Sequence, residues 1–265
     1  MDRTWSKPSL FCEVASKEVK ESSGIASSLS KRDTYYTHND SGDSARFFRF
    51  GIEGRLDVFE LKGVQARDWE DMASVRLGKR NWLYFADVGD NGRSRKEVRV
   101  HRLEEPQGIG RTIEKIETFT LKYPDDPRNC EAFIVDPRSG DFYLVTKEDG
   151  PSWVYTAASP KASQTTLLKK LGSLKVDTGM GKFGRYVTAG DADRAGKHVV
   201  LRTYSGALEY TVTGRFQDWW KSKPASVNVP LTGQAEAVCY APDGQTIVTT
   251  SEGSPCQVHV IKLAK

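Results

Sequence analysis

Asp68-Trp69-Glu70-Asp71-Met72-Ala73 is a pattern to which the chain keeps returning. Asn129-Cys130-Glu131-Ala132-Phe133-Ile134 and Gln234-Ala235-Glu236-Ala237-Val238-Cys239 repeat it: a polar residue, a glutamate two positions on, then small and apolar residues. A glycine follows each copy (Gly78, Gly140, Gly244). Two looser copies fit the same frame. Glu21-Ser22-Ser23-Gly24-Ile25-Ala26 carries Ser23 at the glutamate position, and Arg185-Tyr186-Val187-Thr188-Ala189-Gly190 carries Thr188, with Gly196 behind it. The key positions Ser23, Glu70, Glu131, Thr188 and Glu236 stand 47 to 61 residues apart, a period characteristic of propeller blades.

Between successive copies lie short β-branched and aromatic runs bounded by turn residues, the signature of strands. After Ser23 come 34–38, 46–50 and 56–61. The later units offer 82–86, 98–102 and 118–123; 142–146, 153–156 and 167–171; 199–201, 208–212 and 226–229. The last unit has only 247–250 and 258–261, and the N-terminal run 10–19 can supply its missing strand. Sharing a blade between the two ends leaves no open sheet edge. The expected fold is all-β, a single domain over 1–265: a five-bladed β-propeller of four-stranded blades, the N-terminal strand closing the last blade. The stretch 216–221 reads as a short helix or loop, and its Trp219-Trp220 as a candidate exposed patch.

Bulk properties narrow the function. The 265 residues carry 39 basic and 35 acidic side chains, a formal net charge of +4, with no basic run of the kind that binds nucleic acid. No stretch approaches the ~20 apolar residues of a membrane span. Met1-Asp2-Arg3-Thr4-Trp5-Ser6 has no apolar signal core, which leaves a cytoplasmic protein and an exported one whose signal has been removed both open. A monomer is expected. Four cysteines without C-x-x-C spacing and four dispersed histidines argue against zinc. Blade closure would put Cys12 and Cys256 on neighbouring strands, as a disulfide or as two buried thiols.

The innermost strand of each propeller blade lines the axis, so the five key side chains would form a ring in the channel. Approaching loops carry Glu21, Asp68, Asn129 and Gln234. The exits of the second strands carry Asn39 and Asp40, Asp87 with Asp90 and Asn91, Lys147, Arg202 and Glu252. Carboxylates crowded at low dielectric repel one another unless they share protons, pair with Lys147 or Arg202, or bind a cation. Ser23, Glu70, Glu131, Thr188 and Glu236 offer oxygen ligands only, which suit a hard cation, and an irregular ring suits Ca²⁺ better than Mg²⁺. The alternative is that these side chains hold blades together through hydrogen bonds to neighbouring backbone.

The order Ser, Glu, Glu, Thr, Glu around five blades resembles the calcium-activated nucleotidase (apyrase) family. That resemblance implies a five-bladed propeller with Ca²⁺ held in the channel by serine and glutamate; Thr188 stands where that family has serine. Glu-Ser-Ser-Gly-Ile, His-Asn-Asp-Ser-Gly, Asp-Trp-Glu-Asp-Met and Gly-Asp-Asn together are more similar to little-characterised bacterial propeller proteins, many with export signals.

Three functions follow as expectations. One is a metal-dependent hydrolase of phosphoesters or other anionic substrates, with Asp68, Asp87, Asp90 or Asp191 as base and Lys147 and Arg202 countering substrate charge. The second is a non-catalytic propeller with structural Ca²⁺ whose rim binds a small molecule, glycan or protein, Trp69 offering a stacking surface. The third is a glycoside hydrolase using Glu70, Glu131 and Glu236.

Overall fold

Five sheets, antiparallel in their four main strands, follow one another along the chain as the blades of a β-propeller; the computed structural model describes residues 3–264. From the axis outward, blade 1 contains β2 (Ser22–Ser27), β3 (Thr34–Asn39), β4 (Arg46–Gly51) and β5 (Leu56–Leu61). Blade 2 contains β6 (Trp69–Leu77), β7 (Arg80–Asp87), β8 (Val98–Glu104) and β10 (Glu117–Lys122). Blade 3 contains β11 (Cys130–Val135), β12 (Phe142–Thr146), β13 (Ser152–Ala157) and β15 (Lys169–Leu174). Blade 4 contains β16 (Val187–Ala192), β17 (His198–Thr203), β18 (Gly206–Thr211) and β19 (Ala225–Val227). Blade 5 contains β20 (Ala237–Tyr240), β21 (Thr246–Thr250) and β22 (Cys256–Lys262), and its outermost strand is β1 (Ser9–Val14).

The N-terminal strand therefore closes the ring, as the pattern predicts. β1 runs antiparallel to β22, with Leu10 opposite His259 and Val14 opposite Cys256. Cys12 and Cys256 do lie on these adjacent strands, but both are free, buried thiols. Two blades are wider than expected. β9 (Thr112–Ile113), from the connection between β8 and β10, pairs parallel with β5, and β14 (Thr165–Leu167) pairs parallel with β10. Blades 2 and 3 thus each lend a short strand to the blade before. These pieces of two and three residues are too short to leave a period in the sequence.

Apolar side chains fall into five clusters, one at each interface between neighbouring blades, because the faces of the twisted sheets and not their edges carry the alternating hydrophobics. The turns from first to second strand rest on the predicted glycines: Gly78, Gly140, Gly196 and Gly244 all have φ between 61° and 79°, open to glycine at little cost. Among the described residues the only helical pieces are two 3₁₀ turns, Gly181–Gly184 and Phe216–Lys221. The second corrects the expected tryptophan patch: Trp219 is wholly buried against Tyr210, and the Trp220 ring fills the space above Gly172. Trp69 is likewise no stacking surface, being buried among His38, Phe85 and His101. No helix among the described residues is long and apolar enough to cross a membrane.

Candidate functional site

Four inner strands are interrupted by a β-bulge at one residue: Ser23, Glu70, Glu131 and Thr188 each fall in the register shift between inner and second strand. Glu236 sits just ahead of β20. A bulged residue is unpaired and its side chain is re-aimed, so the predicted ring positions are where the backbone turns a side chain into the channel mouth. A second tier is clamped above the first. The backbone N–H groups of Asp40, Gly89, Lys147 and Glu252 donate to the carbonyls of Glu21, Asp68, Asn129 and Gln234, at 3.0 to 3.2 Å. Tyr204 follows β17 at the matching place in blade 4.

The ring divides into two kinds of residue. Ser23 Oγ donates to the Glu70 carbonyl (2.7 Å) and Thr188 Oγ1 to the Ala235 carbonyl (3.1 Å), each reaching the next blade. These two hydroxyls stitch blades. The glutamates are short of partners instead. Glu70, only 4% exposed, makes no side-chain hydrogen bond among the described residues. Glu131 Oε1 accepts from Lys147 Nζ (2.7 Å) and Asn129 Nδ2 (3.3 Å), while its Oε2 is buried with no partner among those residues. Lys147 also donates to the Tyr204 hydroxyl at 2.7 Å.

One carboxylate oxygen each from Asp40, Asp68 and Glu70 lie within 4.8 Å of one another. Gly89 makes room for them: a Cβ there would stand 2.1 Å from Glu70 Oε1 and 2.5 Å from Asp68 Oδ2. Burial drives these acids upward, and like charges add to it. Asp68 rises to about 6 by burial and then the Asp40 charge; Glu70 rises well above its usual range by burial, then Glu131, Asp40 and Asp68. Burial lifts Glu131 to about 7 against the pull of Lys147, and burial with the Glu131 charge lifts Glu236 to about 8. For Lys147, burial works downward, but the Glu131 carboxylate outweighs it and holds the ammonium charged.

An acid whose folded pKa is raised adds stability that is present below its unfolded value and lost as pH climbs through the folded one. Cation-free protein is therefore expected to melt progressively lower from pH 6.5 to 8.5, by roughly 5 °C. That window lies above the range of His38 and His101, which burial holds down near 4. Glu236→Gln should flatten the fall, as a thermal scan at several pH values in EDTA would show; an unchanged slope would remove Glu236 from this account.

Several residues expected to serve chemistry at the channel mouth are elsewhere. Asp191 lies near the opposite mouth, on a cavity of about 190 Å³ with Arg76 and Arg194, and its Oδ2 accepts from Tyr240 N (2.8 Å). Three residues beyond the bulge, the strand has carried it down the channel. Arg202 is wholly buried: Nη2 donates to the Pro230 carbonyl (3.1 Å), Nε and Nη1 have no partner among the described residues, and burial lowers it to about 10 despite the Glu236 charge. Asp87 and Asp90 are buried in loop bracing. Asp87 Oδ1 pairs with Arg95 Nη2 (2.8 Å) and accepts from Asp68 N (3.2 Å), and Asp90 Oδ2 accepts from Arg95 N (2.7 Å).

Two features were not foreseen. Asp71, next to Glu70, is fully buried in the channel, where Oδ1 accepts from Met72 N (2.9 Å) and Oδ2 from Phe133 N (2.9 Å) and Gly190 N (3.0 Å), joining blades 2, 3 and 4. Beside Lys147 opens a cavity of about 570 Å³ between the loops that precede β16 and β20, lined by Met180, Phe183, Tyr186, Tyr204 and Leu231 among others.

No protein-family model and no curated protein matches the chain. Solved structures do. An oxidoreductase (glucose dehydrogenase) of Thermus thermophilus, so described provisionally, aligns over 97% of this chain and 100% of its own, at 12% identity and TM-score 0.51. A gluconolactonase of Xanthomonas campestris aligns over 87% of this chain and 69% of its own, at 11% identity and TM-score 0.49. Hydrazine synthase of Kuenenia stuttgartiensis aligns over 92% and 72%, at 15% identity and TM-score 0.47. At such identities the likeness is one of fold alone. The resemblance to calcium-activated nucleotidases rests on the ring residues and gains nothing from these structures.

Proposed function

We propose that the protein is a divalent-cation-dependent hydrolase acting at the channel mouth on phosphoesters or other negatively charged esters. The observation that carries this reading is the group Asp40, Asp68 and Glu70, three converging carboxylates with Glu70 buried and unpartnered among the described residues. Their 4.8 Å spread fits one Ca²⁺, since oxygens at 2.3–2.6 Å from a common ion stand up to about 5 Å apart. The ligand set thus differs from the five-membered ring read in the sequence: Ser23 and Thr188 are spent on carbonyls, and Asp40 and Asp68 take their place. Ca²⁺ there would polarise an ester oxygen and acidify a bound water.

The chain's own residues supply the rest. Glu131 and Glu236, raised to about 7 and 8, are poised near neutrality to accept and return a proton. This moves the base from Asp87, Asp90 and Asp191 to the ring. Lys147, held charged by Glu131, faces the developing negative charge of the substrate.

Thermal unfolding of chelator-stripped protein tests the cation. Ca²⁺ at ~100 times its dissociation constant should add roughly 2.7 kcal/mol, Mg²⁺ much less, and Glu70→Gln should abolish the shift together with Ca²⁺-dependent hydrolysis of aryl phosphate esters. If neither cation moves the midpoint and metal analysis of untreated protein is blank, the reading fails. The buried pair Glu131 and Glu236 would then favour acid–base work on a glycoside.

A further inference from the structure

The cavity beside Lys147 is a built feature. Its outer wall, the loop 175–186, contains three consecutive left-handed residues, Gly179 (φ 89°), Met180 (65°) and Gly181 (65°). The loop is tied down at both ends. Thr178 Oγ1 shares hydrogen bonds with Thr203 Oγ1 (2.7 Å) and Ser205 Oγ (2.9 Å), and Ser205 Oγ donates to the Gly179 carbonyl (2.9 Å). Arg185 donates through Nε to the Asp149 carbonyl (2.8 Å) and through Nη2 to its carboxylate (2.6 Å). A loop held this way keeps its shape without a ligand.

The lining is unlike the rest of the surface. Met180, Phe183 and Leu231 are 67%, 49% and 69% exposed, large apolar side chains gathered at one mouth where solvent contact is costly unless something covers them. The Phe183 and Tyr186 rings pack edge-on to Tyr204. Among the described residues the ionisable lining groups are two lysines and two tyrosines, with no carboxylate. Lys147 has three ammonium protons, of which Glu131 and Tyr204 take two. A volume of about 570 Å³ suits a small organic molecule and not a chain.

We propose that this cavity binds a small amphipathic anion, an aromatic body lying against Met180, Phe183 and Leu231 with its charged head at Lys147. The inference rests on the hydrolase reading only for its use: with the head beside Glu131, the aromatic body is one half of the substrate, which is then an aryl ester or aryl phosphoester. Binding itself needs no cation. The test uses 8-anilinonaphthalene-1-sulfonate in EDTA, followed by its fluorescence, so that failure of the cation centre leaves the result untouched. One saturable site is expected, weakened at least tenfold by Phe183→Ala and by Leu231→Ser. Both side chains are solvent-exposed, and unchanged melting temperatures will confirm that the variants fold. Neutral 1-naphthalenemethanol should compete at least tenfold more weakly than 1-naphthalenesulfonate, and Lys147→Met should erase that difference. Absence of a saturable site, indifference to both apolar substitutions, or equal competition by the neutral compound would each overturn the proposal.

Discussion

Asp71→Ala is expected to lower the melting temperature by at least about 6 °C, the loss of roughly 3 kcal/mol or more in a chain of this size. The carboxyl group sits where five inner strands converge and takes the backbone N–H groups of Met72, Phe133 and Gly190. Alanine would leave all three donors facing a cavity walled by protein, and each unsatisfied buried donor costs about 1–3 kcal/mol. The loss of negative charge brings little in return, because burial already raises Asp71 well above its usual range and favours the neutral form. Asp71→Asn keeps an acceptor oxygen without a charge and should recover about half of the loss. An alanine variant melting within about 2 °C of the parent protein would show that water replaces the carboxyl and that the strut is dispensable.

Asp71 also shows what repeat alignment can reveal. The residues that follow the five key positions are Gly24, Asp71, Ala132, Ala189 and Ala237. Four are the smallest side chains available, which says that the channel is narrow one step below its mouth; the single aspartate says that one side chain fills it. The period, the ring and the closing strand were legible because each recurs or balances an open sheet edge. That Ser23 and Thr188 bond to neighbouring carbonyls was not legible, since a hydroxyl in the ring reads equally as ligand and as stitch. Asp191 lies away from the mouth for a geometric reason: adjacent positions in a strand alternate faces, but three residues of strand also travel about 10 Å along the axis. Arg202 closes the apolar run of its second strand, which makes it read as a rim residue, yet Thr203 and Tyr204 follow it and carry the chain to the mouth. The apolar cavity lies in loops that differ between blades, so no period pointed to Met180, Phe183 or Leu231.

The other large effect expected is electrostatic and should reveal itself by its pH dependence. Lys147→Met is expected to cost about 3 kcal/mol at pH 8 and roughly 1 kcal/mol at pH 5.5 in cation-free protein. Among the described residues the ammonium is the one cation in direct contact with the glutamates of the ring, through Glu131 Oε1 at 2.7 Å. With it gone, Glu131 is a buried carboxylate beside Glu70 and Glu236, and its pKa must climb above the present value of about 7. At pH 5.5 Glu131, with its pKa of about 7, already carries its proton in the parent protein, and what is lost is mainly the hydrogen bond from the ammonium and its cation–π contact with the Tyr204 ring. At pH 8 the proton must be taken from a dilute supply, and that work appears as lost stability. Urea unfolding of parent and variant at the two pH values measures the difference directly. An equal loss at both would mean that Lys147 supports the mouth by packing alone. The rim would then lack the fixed positive charge on which both the hydrolase reading and the anion site depend.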